Sequence, residues 1–165
     1  MTIEISECTQ VNQEVVEAFE KLIPQLSTSS SAPTFEELEL MVSHDAATLL
    51  IATDQGMIVG SMTLVIFPLP TGVRAWIEDV VVDGDARSRG VGEALNRRAM
   101  EIAVARGAKT IDLTSRPSRE AANRLYQRLG FLRRDTNVYR YEAVSYTHLR
   151  AHETVLDLVC RLLLE

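Results

Sequence analysis

DVVVDGDARSRGVGEAL, residues Asp79 to Leu95, lies midway along a chain of 165 residues and sets Arg87 and Arg89 beside Gly90 and Gly92. The apolar run before it ends near Val82, as a strand would, and a helical pattern begins near Gly90. The first turn of a helix holds amides with no internal partner and the positive end of the helix dipole. Glycines there carry no Cβ, so a bulky anion can approach the amides closely. Arg87 and Arg89 add charge at the same place, where a guanidinium binds phosphate oxygens in pairs. A plain surface turn would also use glycines for geometry and arginines for solubility, and Asp79, Asp83 and Asp85 partly cancel the field. A dinucleotide is the rival anion, because Gly90-Val91-Gly92 is followed by Asp112 about 20 residues on. The third glycine of that fingerprint is missing, its place being taken by Leu95, and no second βαβ half follows.

Working outward, the chain intermixes helices and strands. TIEISEC (2–8) alternates apolar and polar residues as a strand does. Val15, Val16, Phe19, Leu22, Ile23 and Leu26 recur at helical spacing behind Asn12, a capping residue. STSSSAP (27–33) is a loop by composition, and Thr34 with Glu37 forms a capping box for a second helix. Two apolar strands flank a hairpin turn at Asp54-Gln55-Gly56, and VRAWIEDVVV (73–82) is a third. Val91, Leu95, Ala99 and Ile102 mark one face of a helix closed by Gly107. KTIDLTS (109–115) reads as a strand and Ser118–Leu129 as a helix closed by Gly130. Asn137–Ala143 reads as the last strand, and Phe131–Arg133 is a candidate extra one. The order βααβββαβαβ predicts an α/β sheet covered on both faces.

The last residues read differently. Val144–Thr154 and Leu158–Glu165 reverse-translate, in one frame, onto two parts of a sequencing-library adapter with a barcode-sized gap between them. A native amphipathic helix would also fit the composition. The adapter reading makes residues 1–143 the single domain and 144–165 a non-native tail. About 140 residues suit one core. Without that tail only Cys8 and His44 remain of their kinds, too few for an internal disulfide or a structural zinc site. The formal net charge of −6 disfavours nucleic acid, whose binders present a basic face. No apolar run reaches the ~20 residues of a membrane span, and the start lacks the basic and apolar regions of a signal peptide. A cytoplasmic protein with no metal is expected.

IEDVVVDGDARSRGVGEAL (77–95), followed by REAANRLYQRLGF (119–131), resembles the GNAT superfamily of acetyl-CoA-dependent N-acetyltransferases. The match falls on Arg87, Gly90 and Gly92 of an RxxGxG loop and on Asn123, Tyr126, Gly130 and Phe131 of an N-x-x-Y…GF signature. The resemblance implies a central, mostly antiparallel mixed sheet of six or seven strands flanked by about four helices. It implies that the amides of Arg87, Ser88, Arg89, Gly90, Val91 and Gly92 hold the CoA pyrophosphate. It further implies that Val80, Val81 and Val82 pair with the pantetheine arm like an added strand, and that Asn123 hydrogen-bonds that arm.

Acetyl transfer to an amine poses two proton problems. An alkylamine with pKa near 10.4 is only about one part in 10³ neutral at pH 7, a penalty of roughly 4–5 kcal/mol. Glu78, just before the cofactor-pairing residues, is the candidate base, directly or through water. Regular alternation puts Glu78 and Asp79 on opposite sides of the strand unless a bulge intervenes. Tyr126 is the candidate acid for the departing thiolate; packing beside Leu125 and Leu129 is its alternative role. The loop Gln25–Phe35 borders the acceptor cleft by family implication. Glu36, Glu37 and Glu39 attract a cationic amine or form a solvated helix face; Trp76, Tyr139 and Tyr141 line the pocket or pack. IEDVVVD is somewhat similar to the matching strand of amino-sugar acetyltransferases. A small primary amine is the expected acceptor, a protein N-terminus or lysine the second, and a non-catalytic acyl-CoA sensor the rival class. The fold commonly pairs subunits, so a homodimer is part of the expectation.

Overall fold

In the computed structural model, residues 2–141 are described. The chain divides after Leu132, and every helix and strand of the described residues lies in the first of the two units. Strands β1 (Ile3–Glu7), β2 (Ala47–Asp54), β3 (Met57–Leu69), β4 (Gly72–Val82) and β5 (Thr110–Leu113) form one sheet in that order. Neighbours from β1 to β4 run antiparallel, while β4 and β5 are parallel. A parallel pair needs a crossover, supplied by helix α3 (Val91–Ala105). Helices α1 (Gln13–Leu26) and α2 (Phe35–Val42) connect β1 to β2, and α4 (Glu120–Arg128) follows β5.

Local chemistry explains the boundaries. The Asn12 side chain accepts the Val15 amide at 3.0 Å, and Thr34 and Glu37 cap α2 reciprocally. Gln55 and Gly56 both take positive φ, 52° and 81°, matching the primed turn that a two-residue hairpin with right-handed twist requires. On one sheet face Leu50, Met62, Leu64 and Ile77 pack against Leu95 and Ala99 of α3, each at most 2% exposed. On the other, Leu49 meets Val15 and Phe19 of α1 and Leu38 of α2.

Five strands form, not six or seven. Residues 131–133 and 137–141 take no strand, although their alternation suggested it. Alternation describes a half-buried surface, whereas a strand is held by the ladder of a neighbour, which a short polar-flanked segment cannot guarantee. The remainder of the expected last strand and the adapter-like segment 144–165 lie outside the described residues.

Candidate active site

The sheet opens where the Asp79–Leu95 stretch begins. Parallel pairing of β4 with β5 stops at Ile77 opposite Leu113, yet β4 continues to Val82. From Glu78 to Val82, then, β4 keeps β3 on one side and among the described residues has no paired strand on the other. A register shift adds to this. Ser61 pairs with Val81, but Thr63 pairs with Glu78, leaving an extra residue on β4. Asp79 carries the bulge at φ 51°, a left-handed conformation that Asp tolerates better than most side chains.

The bulge settles the alternation question raised by Glu78 and Asp79. Glu78 shares its face with Thr63, its direct partner across the ladder, and Thr63 lines a cleft with Asp79. Both carboxylates thus turn toward the α1–α2 side. The Trp76 indole N–H donates to Glu78 Oε1 at 2.6 Å, fixing the carboxylate, which remains exposed. Tyr139 and Tyr141, expected to line the pocket or to pack, are exposed and fall in the second unit, where residues 133–141 form no strand.

Past Val82 the chain makes one 3-10 turn, Gly84–Ala86, and enters the Arg87–Gly92 loop. Ser88 and Gly90 take positive φ, 61° and 83°. Gly90 is the N-cap of α3 and offers no capping side chain; the first helical bond is Ala94 N–H to Gly90 O, 2.9 Å. The Arg87 amide just before it is taken up by the Gly84 carbonyl at 3.4 Å, and the first amides of α3 have no partner within the helix. A Cβ on Gly90 would meet nothing within 4 Å, so the space above the loop is open. Gly92, by contrast, faces Leu125 of α4, 3.4 Å from where its Cβ would be. Arg87 is exposed, but Arg89 is spent on Asp54, at 3.4 Å. Asp54 is 6% exposed and its Oδ1 has no partner among the described residues. Val80 and Val82 pack on the α3 side, and Val81 is buried.

Helix α4 brings Tyr126 and Asn123. Tyr126 meets Phe131 edge to face, ring centres 5.9 Å apart, and the Phe131 amide donates to the Tyr126 carbonyl at 3.0 Å. Burial pushes the Tyr126 hydroxyl above its ordinary pKa, and the nearby charge of Arg119 opposes that rise. The Asn123 side chain donates to the Arg116 carbonyl at 2.9 Å, holding the loop between β5 and α4. Ser115 Oγ in the same loop is buried without a partner among the described residues. Arg119 Nη2 donates to the Leu26 carbonyl at 3.2 Å, tying the start of α4 to the end of α1. Ser115, Arg119 and Asp54 were not singled out by sequence, and no local pattern marks them; each matters through a contact distant in the chain.

A cleft of about 260 Å³ lies between α1, α2 and the bulged strands, bordered by Asp79, Ser61, Thr63, Glu37 and the 26–33 loop. A recess of about 290 Å³ at Thr2, Thr53 and Gln55 holds none of the residues marked by sequence. The RxxGxG loop thus lies at the start of α3, which has no capping side chain, and the N-x-x-Y…GF residues lie on and just after α4. The pattern of the Acetyltransferase (GNAT) family matches residues 11–131.

The chain belongs to the GNAT family. It is 30% identical over 125 residues to glucosamine 6-phosphate N-acetyltransferase 1 of Oryza sativa subsp. japonica, covering 72% of each chain. Its fold matches an acetyltransferase of Trypanosoma brucei with TM-score 0.68 and 26% identity, over 86% of this chain and 100% of that one. It also matches, with TM-score 0.71 and 17% identity over 87% and 97%, an aminoglycoside acetyltransferase from an uncultured soil metagenomic sample, solved with sisomicin. This GNAT chain is accordingly an acetyl-CoA-dependent N-acyltransferase. Among the described residues no helix is long and apolar enough to cross a membrane.

Proposed function

We propose that the enzyme moves the acetyl group of acetyl-CoA to a small primary amine by direct attack in a ternary complex, within a single domain ending near Ala143. The observation that carries this reading is the run of β4 from Glu78 to Val82 beyond its last pair with β5, ending in the uncapped start of α3. Val80, Val81 and Val82 would pair with the pantetheine arm, and the Arg87–Gly92 amides would hold the pyrophosphate, aided by Arg87. Arg89 contributes backbone there while its side chain stays on Asp54. Asn123 would turn its carbonyl to the arm, since its amide already holds Arg116.

Acetyl-CoA, when bound, supplies a thioester carbonyl as electrophile. The residues of the chain manage protons. Glu78, held by Trp76, receives the ammonium proton directly or through water. Tyr126 keeps its proton at Oη because burial raises its pKa, and gives it to the leaving thiolate. Since the acid works only while protonated and its pKa is raised, the alkaline limb of kcat should lie above the ordinary tyrosine range. The cleft is small against the roughly 300–1,000 Å³ usual for ligand sites, which favours a small acceptor over a protein chain.

Thiol release from acetyl-CoA across a panel of amines tests the reading. Tyr126→Phe should lower kcat by about 10²–10⁴ while leaving acetyl-CoA affinity nearly intact. An unchanged kcat removes Tyr126 from the mechanism. Binding of acetyl-CoA without turnover on any amine would favour a non-catalytic sensor.

A further inference from the structure

Resting on the acyl-transfer reading above, we infer that the acceptor is a small polyhydroxylated amine with positive charge and no phosphate, an unphosphorylated amino sugar in chemical class. Asp79 and Glu37 select it. The cleft is bordered by these two carboxylates, and among the described residues none lining it is Lys, Arg or His. An ammonium group entering it meets opposite charge on two walls. A phosphate would meet like charge and, among the described lining residues, no guanidinium to pair with. Arg119, outside the lining, already donates to the Leu26 carbonyl at 3.2 Å.

A second, independent observation calls for a hydroxylated ligand. Ser61 lines the same cleft, is only 2% exposed, and among the described residues its hydroxyl has no hydrogen-bond partner. A hydroxyl can both donate and accept, so a ligand hydroxyl reaching Ser61 finds a partner of either sense. Phe19, Leu38 and Met41 give the cleft an apolar floor on which the C–H face of one sugar ring can lie.

Charge placement supports the same assignment. Glu37 Oε2 accepts the Thr34 amide at 2.8 Å within the capping box, leaving Oε1 for the ligand. Asp79 is delivered to the cleft by the bulge, at the end of β4 where acetyl transfer is proposed to occur. One carboxylate therefore grips near the reacting amine and the other farther along the cleft.

Steady-state thiol release with glucosamine, glucosamine 6-phosphate and a lysine-containing peptide tests this. The kcat/KM for glucosamine should exceed that for its 6-phosphate by about tenfold or more. Asp79→Asn, which keeps a residue tolerant of positive φ, should raise KM for glucosamine about tenfold with KM for acetyl-CoA unchanged. Glu37→Gln, which preserves a capping side chain, should raise it less. Equal rates for the two sugars, or preference for the phosphate, overturn the inference and leave acetyl transfer standing. Turnover of the peptide but of neither sugar does the same. Absence of turnover on every amine, with acetyl-CoA bound, overturns the parent reading instead.

Discussion

Helix α3 buries far more than α4, although α4 has the sharper amphipathic pattern and the more polar composition. On α3, Val91, Leu95, Asn96, Ala99, Ile102 and Ala103 are buried; on α4 no residue is. The first helix closes the core over β2, β3 and β4. The second follows β5 and meets α3, with Leu125 facing Gly92 and Arg128 pairing with Glu93. Most helical stability in proteins comes from packing an apolar face, so α3 is built into the scaffold and α4 is held more lightly. The difference assigns separate tasks. On the proposed function, α3 fixes the shape of the slot and α4 presents Tyr126 and Asn123 to the ligand that fills it.

The largest expected effect tests that contrast on stability. Leu95, fully buried on α3, truncated to alanine should cost about 2–5 kcal/mol in urea unfolding. Leu125→Ala on α4, half-buried, should cost under about 1.5 kcal/mol. Equal losses would break the comparison by showing α4 to be as much a part of the core. A sharper form adds acetyl-CoA: at a hundredfold excess over Kd the wild type should gain about 2.7 kcal/mol, and Leu125→Ala distinctly less at the same concentration.

Next in size is Gly60→Ala, which tests whether the two halves communicate. A Cβ at Gly60 would lie 2.9 Å from the Val81 carbonyl oxygen and 3.1 Å from Val91 Cγ1. The first neighbour is backbone and cannot swing away. Overpacking of this kind costs about 1–3 kcal/mol, so a lower urea midpoint is expected. Because the displaced carbonyl belongs to the stretch of β4 that lines the slot, KM for acetyl-CoA should rise as well. Lost stability with an unaltered KM would mean that the slot does not depend on this contact.

What was legible in the sequence was short-range. Asn12, the Thr34–Glu37 box, the Gln55-Gly56 turn and the α3 stripe all act within a few residues, and each is found where its pattern put it. The bulge at Asp79 was not legible, because IEDVVV reads as regular alternation and the extra residue exists only relative to Met62 and its neighbours on β3. The same reason hid the pairing of Arg89 with Asp54 and the reach of Arg119 to Leu26. Alternation misled outright at 137–141, where no strand forms. The candidate residues could be named from the sequence, whereas the shape that brings them together could not.

The smallest effect concerns how α1, a wall of the acceptor cleft, is tied to the loop that leads to α3. Lys21 on α1 pairs with Asp83, and Gln25 Oε1 accepts the Gly84 amide at 2.8 Å. The Lys21 hydrogen bond holds the Asp83 carboxyl below its usual range, helped by the Asp85 amide and by Gln25, while burial opposes it; the Lys21 ammonium is pushed up by the same contact. The signs separate the partners. A lowered carboxyl pKa contributes stability above the unfolded value near ~3.9 and loses it as pH falls through the folded value. A raised ammonium pKa contributes below the unfolded value near ~10.4 and loses it only as pH rises beyond that. Between these limits both charges are in place, so Asp83→Asn should lower Tm modestly at pH 7, by less in high salt because Lys21 is largely exposed. As pH drops below about 4 the gap from the wild type should close. A gap that stays constant down to pH 2.5 would assign the loss to the Asp85 cap, not the ion pair, and α1 would then be held to the loop by the Gln25 contact instead of by charge.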